Sequence, residues 1–364
     1  MAIRTVVIAP DSFKGTASAA VVAQAIAAGW ASVHTADELC LVPMADGGEG
    51  TLDAFEVAFS DAKRVSAVVT GPDNRPNETH WLLLPDGTAV IELAKLSGIG
   101  LLRKPQPMEA HTVGFGQAIG AALDHGVDGM LLALGGSCST DGGLGALVAL
   151  GARFSDSMQR PVEFGNRGLG QVSRVDLTGL RALPPGGVRI LSDVTNPLLG
   201  PDGASYTFGP QKGAGHGELA ELESNMRGYS QFLPAEASAA GAGAAGGCGF
   251  GLMAWGATLV SGAAVIGQAL GLPAAIARGS IVVTGEGRFD TQSQAGKVAS
   301  YVADLAALEG VDILLVAGAI EADTTQFVAT ESLTKLAGNT REAMKNPVDW
   351  LVRAGARLAN LYPS

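Results

Sequence analysis

Short runs of β-branched and aliphatic residues, each closed by a small polar loop, set the rhythm of this chain. Thr5 to Ala9 is an apolar run of strand length. Pro10, Asp11, Ser12, Phe13, Lys14 and Gly15 form the loop behind it. From Ser18 to Ala28 the period lengthens: Val21, Val22, Ala25 and Ile26 share one helical face, and Gly29 reads as its stop. Leu39 to Val42 predicts a second strand, followed by Met44, Ala45, Asp46, Gly47, Gly48, Glu49 and Gly50, with Thr51 as a helix cap. The same grammar returns late. Ile281 to Val283 predicts a strand that Thr284, Gly285, Glu286 and Gly287 break. Arg288, Asp290, Gln292 and Ser293 follow, and Gly296 and Lys297 open a helix. Ile313 to Val316 and Leu333 to Leu336 read as two further strands.

Between these units the pattern changes. Val65 to Val69, Trp81 to Leu84 and Ala89 to Glu92 read as strands without helices between them, and Pro85, Asp86 and Gly87 supply a hairpin turn. A helix over Thr112 to Leu123 and strands at Met130 to Leu134 and Val188 to Leu191 follow. The chain therefore predicts a two-domain α/β protein. A flavodoxin-like parallel-sheet domain is formed by both termini (1–63 plus 278–364), and a mixed α/β domain (64–277) is inserted into it. The sheet order 2-1-3-4-5 would gather the loops carrying Asp11 and Lys14, Asp46 and Glu49, and Glu286 and Asp290 at its switch point. The active site is expected in the cleft between the domains.

Composition narrows the class. In 364 residues, 47% are hydrophobic and 16% charged, so a large core is expected and disorder is not. A net charge of -11 argues against a nucleic-acid surface. Cys40, Cys138 and Cys248 are far apart and form no Cys-x-x-Cys pair, which fits a reducing compartment. The first residues lack an apolar signal segment, so a cytoplasmic location is expected. Ala237 to Ala277 carries no charge, but glycines dilute it, and the expectation is a buried helix with no membrane partner. A monomer or a homodimer is expected.

Candidate chemistry lies in the loops. The turn after Val283 holds two carboxylates and two cations, the composition of a site for a phosphorylated ligand with a divalent ion. It is not a Walker A loop, because no Gly-Lys-Ser/Thr occurs at the required spacing. Gly241, Gly243 and Gly246 match G-x-G-x-x-G, but no strand precedes them. Gly135 and Gly136 lead into Ser137, Cys138, Ser139, Thr140, Asp141, Gly142 and Gly143, which offer hydroxyls and backbone N–H groups to an anion. Gly246 to Gly251, including Gly247 and Gly249, follows the same logic. Asp193 closes a strand with Asn196 close behind, a place for a carboxylate that accepts a hydroxyl proton or for a turn cap. Lys14, Lys212 and Lys297 sit in glycine-containing loops and could stabilise a phosphoryl group. The five histidines lack metal-ligand spacing, and no G-x-S-x-G elbow is present.

Six motifs then point one way: IAPDSFKG (Ile8 to Gly15), PMADGGEGT (Pro43 to Thr51), SDVTNPLLG (Ser192 to Gly200), FGPQKGA (Phe208 to Ala214), GGCGFGL (Gly246 to Leu252) and TGEGRFDTQSQAGK (Thr284 to Lys297). In order and spread over nearly the whole chain, they resemble the bacterial glycerate kinase family. The resemblance implies ATP-dependent phosphorylation of D-glycerate with Mg²⁺, to 2-phosphoglycerate. It also implies one flavodoxin-like domain and one related in topology to restriction endonucleases. Where the family's loop reads GGSATNDGG, this chain has GGSCSTDGG, so Thr140 stands at the place of an Asn. On this reading Asp193 is the base or orienting group, and Asp46 and Asp290 hold Mg²⁺ with Glu286 as alternate. Lys14 and Lys297 meet phosphoryl or carboxylate oxygens. Asp11, Ser12, Gly47, Gly48, Arg288, Asn196, Lys212 and the two glycine-rich loops bind substrate or phosphates. Which loop takes ATP and which takes glycerate stays open. So do 3-phosphoglycerate as product, another small hydroxy acid as substrate, and a non-catalytic nucleotide-binding protein.

Overall fold

The computed structural model describes residues 4–291 and 297–362. Its strands in chain order are β1 (Thr5–Pro10), β2 (Glu38–Leu41), β3 (Lys63–Thr70), β4 (Pro76–Leu83), β5 (Thr88–Glu92), β6 (Gly129–Ala133), β7 (Arg153–Ser155), β8 (Arg174–Asp176), β9 (Val188–Leu191), β10 (Thr258–Val260), β11 (Ile281–Phe289), β12 (Asp312–Ile320) and β13 (Ala329–Ser332). They divide between two compact units. One comprises Met1–Asp46, Asp53–Ala58 and Ala263–Ser364, the other Gly47–Leu52 and Phe59–Gly262. The chain thus returns to the first unit at Ala263, ahead of the residue 278 read from the sequence.

In the first unit the order is β13-β12-β11-β1-β2, every neighbour parallel. Counted within the unit this is the 2-1-3-4-5 order expected from the sequence. Parallel strands covered on both faces read as unbroken apolar runs because alternate residues feed different cores. Val6, Ile8, Ile281, Val283, Leu314 and Val316 pack on one side. Val7, Ala9, Val282, Ile313, Leu315 and Ala317 pack on the other.

Three expectations are corrected here. β11 does not break at Thr284 but runs on to Phe289, because β12 pairs with it as far as Phe289↔Ile320. Leu333 to Leu336 is not a strand: β13 ends at Ser332, whose hydroxyl accepts the Lys335 N–H at 3.5 Å and starts the helix Leu333–Ala337. Gly29 does not stop the first helix, which spans Ala19–Ala31. A Cβ at Gly29 would lie 2.0 Å from the Val352 carbonyl oxygen, and one at Gly355 would lie 2.3 Å from that of Ile26. Two glycines thus let this helix and Pro347–Leu361 touch backbone to backbone.

The second unit carries a mixed sheet, β10-β9-β6-β5-β4-β3, with β3, β4 and β5 antiparallel and the rest parallel. The hairpin at Pro85–Gly87 forms as read. β7 and β8 make a separate small hairpin. The uncharged stretch 237–277 is not one helix: it forms Ala244–Trp255, then β10, then Gly262–Ala269 and Leu272–Arg278. Gly256 (φ 107°) and Gly271 (φ 69°) end or begin these pieces in left-handed backbone. No helix among the described residues is long and apolar enough to cross a membrane.

Candidate active site

The sites of the two units are described separately. In the first, the loops after β1 and β2 and the far end of β11 meet at one end of a cavity of about 480 Å³. The Asp11 N–H donates to the Gly285 carbonyl at 2.7 Å, continuing the β1–β11 pairing by one residue. The Asp11 carboxylate in turn accepts the Ser12 N–H at 2.6 Å. Lys14 Nζ lies 3.3 Å from Asp46 Oδ2. Burial, then the charge of Asp46, pushes the Asp11 carboxyl up to about 8. The charge of Asp46 also pushes the Lys14 ammonium up, to about 12, which holds its proton on. Buried Glu286 faces the same cavity from β11, and Arg288, Asp290 and Lys297 line it too. Arg288 pairs with Glu321 at 2.7 Å on the exposed rim. Gln292, Ser293 and Gly296, read as part of this loop, lie outside the described residues.

With the Asp11 carboxyl pushed up to about 8, four other acidic side chains (Asp46, Glu286, Asp290, Glu321) stand against three cations (Lys14, Arg288, Lys297), and the cavity keeps an excess of acidic groups. Among the described residues, no three His, Cys, Asp or Glu side chains stand close enough to form a ready-made metal cage. A hard-oxygen donor set of this kind suits Mg²⁺, which is ordinarily held by one or two carboxylates together with phosphate oxygens and water.

In the second unit the centre is Lys212, buried at 2% exposure. Its ammonium donates to Ser137 Oγ at 2.9 Å and to the Ser139 carbonyl at 2.5 Å. Among the described residues no carboxylate pairs with it. Burial therefore lowers its pKa to about 8. Ser139 Oγ and Thr140 Oγ1 are buried and have no hydrogen-bond partner. Gly246 closes over them: a Cβ there would lie 2.1 Å from the Ser139 carbonyl oxygen and 2.7 Å from Lys212 Nζ. The backbone beside it is left-handed at Ala245 (φ 53°), where only a non-glycine penalty applies, and at Gly246 (φ 66°) and Gly247 (φ 83°).

Several residues expected to touch ligand are taken up inside the fold. Asp141 is wholly buried, and its carboxylate accepts four bonds: Thr112 N–H at 2.8 Å, Thr112 Oγ1 at 2.7 Å, and the N–H groups of Gly143 and Gly145 at 3.2 Å each. Wholly buried and bonded through both oxygens, it anchors the loop. Gly142 N–H donates to the Gly246 carbonyl at 3.1 Å. Gly247 and Gly249 serve packing, since a Cβ would lie 2.8 Å from Leu198 Cδ1 or 2.3 Å from the Gly241 carbonyl oxygen. Gly47 (φ 87°) packs on the Leu191 carbonyl, and Gly48 packs on Gly135. Asn196 stitches its own loop, donating to the Asp202 carbonyl at 2.7 Å. Asp193, half-buried, accepts the Gly262 N–H at 3.1 Å, which fixes its carboxylate beyond the end of β9. Cys138 donates to the Ser97 carbonyl at 3.0 Å, and burial pushes its thiol up to about 12, so it is no nucleophile. Sequence reasoning missed Thr112 as the anchor of Asp141. It also missed Gly318, Thr334 and Met344 in the cavity wall, although the small residues ending β12 repeat those ending β11.

A model of the glycerate kinase family matches residues 6–363. The chain belongs to the glycerate kinase family. It is 38% identical to the glycerate 2-kinase of Escherichia coli (strain K12) over 97% of both chains. It is 37% identical to the glycerate kinase of Bacillus subtilis (strain 168), over 88% of this chain and 86% of that one. A solved structure named for glycerate kinase 2 of Salmonella typhimurium LT2 superposes with a TM-score of 0.79 at 34% identity, covering 99% of this chain and 98% of that one. The protein is therefore a kinase, and both charged centres fall on motifs that carried the family resemblance.

Proposed function

We propose that this family member transfers the γ-phosphoryl group of ATP to the C2 hydroxyl of D-glycerate, giving 2-phospho-D-glycerate. The observation that carries the reading is the cavity in which Lys14 and Lys297 stand among Asp11, Asp46, Glu286 and Asp290 at the ends of parallel strands. Phosphoryl transfer asks little covalent chemistry of a protein and much positioning and charge stabilisation. Asp46 and Asp290, with Glu286 as alternate, would hold Mg²⁺, which on binding neutralises charge on the phosphate oxygens. Lys14 and Lys297 meet oxygens of the transferring group. Lys212, with the Ser137 hydroxyl, takes the carboxylate of glycerate, the anion that its buried ammonium lacks.

The glycerate hydroxyl oxygen bonds to phosphorus as the bond to the ADP oxygen breaks. The hydroxyl proton leaves late, and Asp193 orients the hydroxyl or receives that proton. The name of the Escherichia coli relative, glycerate 2-kinase, supports the C2 position. Phosphorus NMR of the reaction with ATP and D-glycerate tests this directly. A first product signal from 2-phosphoglycerate is expected, and 3-phosphoglycerate as the first product would overturn the regiochemistry.

A further inference from the structure

The cavity of the first unit is lined by apolar groups that the phosphoryl chemistry does not use. Its wall includes Gly318 and Ala319 at the end of β12, which lie beside Gly287 and Arg288 of β11, and Leu333, Ala343 and Met344 on two short helices, Leu333–Ala337 and Thr340–Lys345. Leu333 and Ala343 are buried and give a firm floor. Met344 is 55% exposed at the rim. Thr334 and Thr340 add hydroxyls to the same wall. A Cβ at Gly318 would lie 2.2 Å from the Gly287 carbonyl oxygen, so the ends of β11 and β12 approach backbone to backbone at this wall.

We infer that these apolar walls bind the nucleoside of the phosphoryl donor, and that the first unit is therefore the nucleotide-binding unit. The assignment rests on the kinase reading above and deepens it. Three features lead here. A cavity of about 480 Å³ has the size of a drug-sized or cofactor-sized site, and a three-carbon acid would fill only a small part of it. Its lining holds both kinds of group that a nucleotide asks for. A planar base needs apolar, adaptable walls with a few polar groups to orient it, and a methionine at the rim is suited to that role. A polyphosphate needs cations. The acidic side chains of the cavity, four to three cations even without Asp11, disfavour a bare triphosphate, so the species it accepts is the magnesium–nucleotide complex. Lys212 in the second unit is left for the smaller anion.

The test uses the full chain and reads binding, not turnover. Isothermal titration with MgADP is compared for the parent, Met344→Asp and Ala319→Phe. Met344→Asp places a charge against the base from an exposed position that is not part of a core. Ala319→Phe fills the cavity from the half-exposed end of β12. Each is expected to weaken MgADP by about tenfold or more, while magnesium tripolyphosphate, which lacks a nucleoside, binds all three proteins alike. MgADP affinity unchanged in both variants overturns the assignment, and so does a selective loss of D-glycerate binding. A parent that binds MgADP with this pattern yet never phosphorylates D-glycerate upholds the nucleoside site and refutes the kinase reading on which it was built.

Discussion

Lys212→Met separates a ligand-binding lysine from a structural one. The ammonium is buried, makes two hydrogen bonds and has no carboxylate partner among the described residues. A pKa lowered from 10.5 to about 8 means that burial disfavours its charged form by about 3 kcal/mol. Met keeps most of the volume and removes that cost. It also leaves Ser137 Oγ and the Ser139 carbonyl without their donor, a loss of about 1–3 kcal/mol. The two effects oppose each other, so the stability of the fold should move by no more than about 2 kcal/mol. Glycerate binding has no such offset. A charge-assisted hydrogen bond to a carboxylate is worth about 1.5–3 kcal/mol, which predicts a rise of about tenfold to 150-fold in the KM for glycerate. The KM for ATP should stay within about twofold.

The pH dependence has a definite sign. In the parent, glycerate affinity should fall as pH rises through about 8, where the free enzyme's Lys212 loses its proton. In Lys212→Met that inflection should vanish. Stability runs the other way: between about 8 and 10.5 the unfolded chain holds the proton that the folded one has lost, so this lysine's contribution to stability rises with pH across that window. Steady-state kinetics with each substrate varied in turn, together with denaturant unfolding, reads all of this. An unchanged glycerate KM beside a marked loss of stability would refute the reasoning and make Lys212 a purely structural lysine.

Two further substitutions probe the same account. Asp193→Asn should lower kcat by about a hundredfold if the carboxylate accepts the proton, and by far less if it only orients the hydroxyl. A kcat within about twofold of the parent would leave Asp193 with a structural role such as its bond to the Gly262 N–H. Gly246→Ala should destabilise the protein by more than about 1 kcal/mol, because its φ is 66° and the new Cβ would meet the Ser139 carbonyl oxygen at 2.1 Å. Unfolding curves that superpose on the parent's would contradict that close approach.

Much of the architecture was legible because a doubly covered parallel sheet needs consecutive apolar residues. Val6 to Ala9, Ile281 to Val283 and Ile313 to Val316 announce themselves on that ground. What could not be read was where pairing carries a strand through glycines. Gly285 and Gly287 look like breakers, yet β12 pairs alongside them and keeps Glu286 and Arg288 on a strand. Glycine misled in a second way. A glycine that lets backbone approach ligand and one that lets backbone approach backbone have the same sequence signature. Gly247, Gly249 and Gly29 are of the second kind. Asp141 illustrates the matching limit for carboxylates. Its four donors come from Thr112, Gly143 and Gly145, and the link to Thr112 spans 29 residues that no local pattern connects. The charged loops around Asp11, Lys14 and Asp46 were legible because strand order alone brings them together.

The most direct measurement is ADP release by the purified protein with ATP, assayed with and without D-glycerate and with and without Mg²⁺. The account predicts release only when both D-glycerate and Mg²⁺ are present, abolished by chelation and restored by adding the metal back. ADP release that is indifferent to D-glycerate, or none under any combination of metal and pH, would contradict it.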